Sequence, residues 1–427
     1  MKKERRGVIF NPGQLRFTHV AQKDVYVPNL DRDLHCFAVW EDGLCVYDRI
    51  AEHMDAHFKV LCSMEVQWSE PCLVQNARRL YQHYIPYTGN RAFHGMHHEK
   101  IGSGRFRFII LEDPDPQYRY EQTTSGFVEL TNTNILQAKN LYRSWVPLAF
   151  RVHSSGNPRE FYMHAALILG LDRLAAILDG SYSPDGVLYK DLEGAAGWKS
   201  LDDLFRVLNV SVEYLLLRNY EELPQVPSDM DLDVLCRNYQ SFASVANVRQ
   251  YVEQGQPYRG LLNVRDQDIS VDMRYVSDGY YDSSWQCHML SNRILHKNFV
   301  YVCKEDDYFF SLLYHALVQK SSVKPEYVER LTYLAGRIGL RLWQPERLNT
   351  PDSAGLLLAG FMKGHDYVFC KPIDPGVYEN KAVSQLLPQG NVLRHSILRA
   401  RVKRILKFVL PAPIRARLNV IRYKWLR

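Results

Sequence analysis

Apolar side chains nowhere run for the roughly 18 positions that a membrane-spanning helix needs, so no transmembrane helix is expected. No two of the eight cysteines form a C-x-x-C pair. Cys36, Cys45, Cys62, Cys72, Cys236, Cys287, Cys303 and Cys370 sit mostly in apolar surroundings. That favours free core thiols in a reducing compartment over disulfides or zinc. The basic start Met1-Lys2-Lys3-Glu4-Arg5-Arg6 is not followed by an apolar stretch, so a secretory signal is not expected. Low-complexity tracts and internal repeats are also missing, which argues against disordered or solenoid architectures.

One region lacks acid. Residues 391–427 hold 11 Lys or Arg and no Asp or Glu. The whole chain carries +6, so residues 1–390 carry −5. The body is therefore no general nucleic-acid binder, and no specific nucleic-acid partner is expected. In the tail, Ile397, Val402, Ile405, Leu406, Val409 and Leu410 interleave with the bases. This is the pattern of an interfacial amphipathic helix drawn to anionic lipid headgroups. The expected location is cytoplasmic and peripheral, at the inner face of the membrane. Truncation after Gly390 should then abolish sedimentation with anionic liposomes. Binding of the full chain should fall steeply with salt, because screening shortens each charge's reach to about 8 Å at physiological ionic strength. Equal binding of both chains, or indifference to anionic lipid, would remove the membrane from this reading.

What is present suits globular domains: 46% apolar and 23% charged residues. The length exceeds one ordinary core and predicts two domains. Boundaries read as an arm over 1–30, a first domain over 31–177 and a turn-rich linker over 178–199. A second domain covers 200–390, and the basic tail 391–427.

The densest chemistry lies in Ser228-Asp229-Met230-Asp231-Leu232-Asp233-Val234-Leu235, followed later by Ile269-Ser270-Val271-Asp272-Met273-Arg274-Tyr275. Both alternate apolar and polar residues, the period of a half-buried strand. Met230, Leu232 and Val234 then face a core, and Asp229, Asp231 and Asp233 share the opposite face. Asp272 also faces away from the core. Clustered carboxylates repel one another, and a divalent ion relieves that repulsion.

The pattern resembles the polymerase-β-type nucleotidyltransferases, over roughly residues 196–345. The resemblance implies that Asp229 and Asp231 are paired ligands for Mg²⁺ or Mn²⁺ and Asp272 the third. The family's Gly-Ser turn, which holds the triphosphate, has no counterpart in Tyr214–Glu222. Arg218 and Asn219 are the phosphate contacts that segment offers instead. Tyr308–Lys320 reads as a helix, and Lys320, a polar point on its largely apolar surface, is a further candidate for phosphate.

The first half resembles nucleoside diphosphate kinases. Asp42-Gly43 matches the end of a P-D-G turn, Ser103-Gly104 an S-G pair, Thr131-Asn132, Ala138 and Arg143 a middle segment, and His153-Ser154-Ser155 the motif around a phosphorylated His. The resemblance implies a ferredoxin-like α/β sandwich, phosphoryl chemistry at His153, and phosphate neutralisation by Arg143. Trp40 stands where the family has a phosphate-reaching Lys, and Phe150 where it has an Asn. His94, His97 and His98 read as a loop rather than a metal site.

These readings add up to an α+β protein: a ferredoxin-like sandwich, a nucleotidyltransferase-like mixed-sheet domain and a basic helical tail. The expected activity is metal-dependent nucleotidyl or phosphoryl transfer to a sugar or polyol phosphate, with a nucleotide as donor, in bacterial surface-polysaccharide assembly. The alternative is a catalytically degenerate protein that binds a nucleotide or a partner at the membrane surface.

Overall fold

Leu34–Trp40 forms β1, and every residue in it is buried. The run, apolar but for His35, suits a strand covered on both faces. The computed structural model describes residues 32–81, 102–122, 128–148, 151–225, 231–252, 254–341, 343–349 and 351–390. They form mixed α+β structure in two compact units, divided between Trp198 and Lys199.

The first unit continues with α1 (Tyr47–His57), β2 (Lys59–Gln67), α2 (Leu73–Tyr81) and β3 (Arg105–Glu112). A separate hairpin of β4 (Tyr118–Gln122) and β5 (Val128–Asn132) leads into α3 (Thr133–Trp145). Then come β6 (Val152–Ser154), α4 (Pro158–Leu169), α5 (Leu171–Leu178) and β7 (Val187–Tyr189). The five-stranded sheet runs β6-β1-β3-β2-β7. All its pairings are antiparallel except β2 with β7. Residues 187–189 thus join this sheet, within a stretch whose composition reads as a linker.

Two-residue alternation sorts β1 between two cores. Phe37 and Val39 pack with Ile50 and Met54 of α1, Ile109 and Leu111 of β3, and Ile135 and Tyr142 of α3. Each such side chain stabilises the fold by about 1.5–3 kcal/mol. Cys36, Ala38 and Trp40 face the other way, where α4 packs on β1. Asn132 caps α3 by accepting from the Asn134 and Ile135 amides. Its amide group also donates to Asp33 and Asp113, tying the cap to the ends of β1 and β3.

The second unit opens with α6 (Leu201–Ser211), capped by Ser200, then β8 (Tyr214–Leu216). The apolar run from Val210 predicts one long strand, but helix continues to Ser211 and extended backbone begins at Val212. The Ser200 cap and the buried Leu204, Phe205 and Leu208 favour helix there. Next come β9 (Asp231–Cys236), α7 (Tyr239–Ala246), β10 (Arg249–Tyr251), β11 (Gln256–Val264) and β12 (Gln267–Tyr275). α8 (Ser283–Ser291), β13 (Ile294–His296), β14 (Val300–Val302) and α9 (Glu305–Val318) follow. α10 (Pro325–Arg337) and α11 (Pro351–Gly364) complete the main helices. The seven-stranded sheet runs β10-β11-β12-β9-β8-β14-β13, with β12–β9 and β14–β8 parallel. Tyr367–Cys370, an expected edge strand, makes only an isolated bridge from Phe369 to Gln389.

All eight cysteines are free thiols, and Cys36, Cys62, Cys236 and Cys303 are buried. Among the described residues no single helix is long and apolar enough to cross a membrane. The tail, the His94–His98 segment and Phe150 lie outside the described residues.

Candidate functional site

The parallel pairing of β9 with β12 builds the acidic face. Asp233 stands directly beside Asp272, and Asp231 beside Ser270. Paired residues in neighbouring strands point to the same face, so Asp231, Asp233 and Asp272 share one side of the sheet. Leu232, Val234, Val271 and Met273 fill the core on the other. Asp231 is exposed at the head of its strand, whereas Asp233 and Asp272 are half-buried. Asp229 lies outside the described residues.

Arginines already surround two of these carboxylates. Arg218, just past β8, grips Asp233 through two bonds of 2.8 Å, Nε to Oδ2 and Nη2 to Oδ1. This is the bidentate fork that a guanidinium makes with a carboxylate. Arg274 Nη2 donates to Asp272 Oδ2, and Arg274 Nη1 donates to Asp374 Oδ2 at 2.9 Å. Arg259 Nη2 lies 3.1 Å from the same Asp374 oxygen and 3.6 Å from Asp272 Oδ2. Asp272 Oδ1 is buried and takes no hydrogen bond from a described residue.

Electrostatics follows from that arrangement. Burial raises the Asp272 carboxyl above its ordinary range, against the pull of Arg274 and Arg259. Burial would also raise Asp374, but hydrogen bonds from Arg274 and the Gly376 amide, with both arginine charges, hold it low. Burial, then the Arg218 charge, lowers Lys320, which lies just beyond the Gln319 cap of α9. Asn219 adopts φ 61° and accepts from Arg330 Nη1 at 3.3 Å.

Aromatic and imidazole groups complete the face. The Arg274 guanidinium sits 4.4 Å over the Tyr280 ring, a cation–π contact. The Tyr280 hydroxyl lies 2.9 Å from His315 Nδ1 and accepts from Arg218 Nη2 at 3.4 Å. Burial pushes His315 well below its ordinary value, so it is neutral at pH 7. Arg218, Arg259, Arg274 and Lys320 therefore stand with Asp231, Asp233, Asp272 and Asp374 in one polar cluster of balanced formal charge.

The residues singled out in the first unit gather separately. His153 lies mid-strand in β6, opposite Ala38. The Tyr81 ring stands edge-on to it at 4.9 Å. Trp40 is buried and donates its indole N–H to the Tyr81 hydroxyl at 3.1 Å. Arg143 donates Nε to the Val152 carbonyl at 2.9 Å, tying α3 to the backbone of β6. Burial lowers the Arg143 pKa. Glu160 and His164 of α4 complete this group. Burial raises Glu160 to about 8, against a hydrogen bond from the Gly156 amide, and lowers His164 to about 3.

Asp231, Asp272, Arg218 and Lys320 thus belong to one cluster in the second unit, and His153 and Arg143 to another place in the first. Arg259 and Asp374 carry no signal in the sequence, being 115 residues apart and joined only by the fold. Arg274 is signalled by its place in the alternating strand with Asp272. Compared with family models, curated proteins and solved structures, the chain gives no match.

Proposed function

We propose that the second unit binds a phosphorylated ligand, a nucleotide with a sugar or polyol phosphate acceptor, and transfers a nucleotidyl or phosphoryl group with Mg²⁺ or Mn²⁺. The observation that carries this reading is the parallel β9–β12 register, which sets Asp231, Asp233 and Asp272 on one face beside Arg218, Arg259, Arg274 and Lys320. The β6-β1-β3-β2 order of the first unit supports reading it as a ferredoxin-like sandwich, and the mixed sheet of the second supports reading it as nucleotidyltransferase-like.

The donor set fits a hard cation. Asp272 Oδ1 is buried and takes no hydrogen bond from a described residue, and Asp231 is an exposed carboxylate on the same face. Asp231 and Asp272 are the ligands we assign, with Asp229 joining them by resemblance. Bound Mg²⁺ would neutralise phosphate charge and orient the transferred group. Asp233 is not assigned as a ligand, because Arg218 occupies both its oxygens. Arg218, which grips Asp233 on the same face, and Lys320 beside it are the cations we assign to phosphate oxygens. Tyr280 buttresses Arg218 and Arg274 and keeps their charges at this face.

A second reading has its own support. The arginines neutralise Asp233, Asp272 and Asp374 without any ion, as a catalytically degenerate nucleotide- or partner-binding domain requires. Calorimetric titration of the full chain with nucleotide, with and without Mg²⁺, separates the two. Transfer chemistry predicts binding that needs Mg²⁺ and weakens at least about tenfold in Asp231→Asn and in Asp272→Asn, a loss of ~1.4 kcal/mol. Binding that ignores Mg²⁺ favours the second reading. Unchanged Mg²⁺-dependent binding in both variants refutes the assigned ligands.

A further inference from the structure

We infer that His153, Glu160 and His164 form a binding site for a divalent transition-metal ion in the first unit. The inference is independent of the function proposed for the second unit. Glu160 and His164 are four residues apart on α4 and so share one helix face. Asn157 caps that helix and Pro158 starts it. His153 on β6 meets them from the strand side.

The three ligand atoms converge. His153 Nε2 lies 3.6 Å from Glu160 Oε1, and His164 Nε2 lies 4.0 Å from the same oxygen. All three atoms fall within 4.8 Å of one another. The two nitrogens stand too far from the carboxylate oxygen for hydrogen bonds, yet near the spacing a shared ion imposes. Ligands about 2.0–2.1 Å from a tetrahedral ion stand about 3.4 Å apart, so the two pairs with Glu160 close by about 0.2 and 0.6 Å and the imidazole pair by at most about 1.4 Å, within reach of side-chain rotation. The side chains are 13%, 10% and 2% exposed, for His153, Glu160 and His164 in turn. Rings and carboxylate are thus held by packing.

Surrounding contacts orient the ligands as a metal requires. The other carboxylate oxygen of Glu160 accepts the Gly156 amide at 2.7 Å, which turns Oε1 toward the imidazoles. His164 hydrogen-bonds the Leu80 carbonyl, and its Nδ1 lies 4.0 Å from Cys36 Sγ. Such outer contacts hold the His164 ring in place beside Glu160. Among the described residues this is the one group of three or more His, Cys, Asp and Glu with converging ligand atoms.

Two imidazoles and one carboxylate select the ion. Nitrogen ligands suit zinc, ferrous iron or cobalt, whereas Mg²⁺ and Ca²⁺ prefer oxygen. Lys139 and Arg143 bind the Ser154 and Val152 carbonyls at the same strand, adding positive charge nearby. That charge disfavours an ion held by electrostatics alone and leaves one held by directed bonds to nitrogen. Three protein ligands leave a coordination position for water or substrate.

The test uses the full chain, stripped with a chelator and titrated with Co²⁺. One equivalent should bind with the visible absorption of a four-coordinate site. Glu160→Gln keeps an acceptor for the Gly156 amide, and His153→Gln changes only the strand-side ligand. Each should weaken Co²⁺ at least about tenfold while circular dichroism and melting without metal match the parent. X-ray absorption on the zinc-loaded parent needs no variant and should give a shell of nitrogen and oxygen with two imidazoles. Absence of stoichiometric binding, a sulfur-containing shell, or equal affinity in parent and folded variants overturns the site.

Discussion

Asp233→Ala should destabilise the second unit by about 3–5 kcal/mol, because it strands the Arg218 guanidinium in a buried setting without its carboxylate. Arg218 is 7% exposed, and both its bonds to Asp233 are 2.8 Å. Asp231 lies two residues upstream on the same face but is exposed, with no ion pair among the described residues. Asp231→Ala should therefore change stability by less than about 0.5 kcal/mol. Chemical denaturation followed by circular dichroism reads the difference directly. Arg218→Ala should cost about as much as Asp233→Ala, and the double variant less than the sum, since the two share one interaction. Equal midpoints for Asp233→Ala and Asp231→Ala would show that the ion pair adds nothing to stability. The comparison also separates Asp233, a structural carboxylate, from Asp231, whose loss should register only in ligand binding.

The second large effect is expected at Gly279→Ala. Gly279 has φ +75°, where a Cβ costs energy by itself. A Cβ there would also stand 2.3 Å from the Lys371 carbonyl oxygen and 3.2 Å from Pro372 Cα, both backbone. Backbone cannot swing aside as a side chain can, so the loss should be about 3 kcal/mol or more. Gly255 provides the control. It has φ +71°, and no atom of a described residue lies within 4 Å of its would-be Cβ. Gly255→Ala should lose only the conformational part, about 1 kcal/mol. Melting curves of the two variants would show whether contact or conformation dominates. Matching losses would mean that Lys371 moves away freely. Because Asp278 holds the Tyr280 amide at 2.9 Å, Gly279→Ala should also displace Tyr280 and weaken anion binding at Arg218.

Local rules made much of the architecture readable in advance. The α+β character follows from the two-residue alternation of Leu232, Asp233 and Val234, the matching alternation of Val271, Asp272 and Met273, and the apolar stretch that becomes α9. Helices start where Ser200, Asn157 and Asp282 accept amide hydrogens, residue types that cap a helix through partners two or three positions away. The error at Val210–Val212 has a local cause: Val, Leu and Tyr serve a buried strand and a buried helix alike, and periodicity cannot separate them over so few residues. Tyr367–Cys370 failed as a strand because no neighbour supplies a ladder beyond the Phe369 bridge.

The candidate site divides in the same way. That carboxylates share a strand face is a property of alternation, and Asp231 and Asp272 were legible from it. Which carboxylate meets which was not. A shift of one residue in pairing would turn the Asp272 side to the other face, and only the β9–β12 register sets Asp272 beside Asp233. The Arg218 grip on Asp233 needs β8 antiparallel to β9, and the Arg259–Asp374 contact joins positions 115 apart. The spacing of Glu160 and His164 is written in the chain as a helix turn. Their meeting with His153 depends on how β6 returns beside β1 and how α4 folds back over it. Sequence by itself determined which residues are apolar, where helices start, and which side chains share a face, because these depend on neighbours a few positions away. Tertiary structure alone decided the register, the ion pairs and the converging His153, Glu160 and His164, because each depends on backbone paths joining distant parts of the chain.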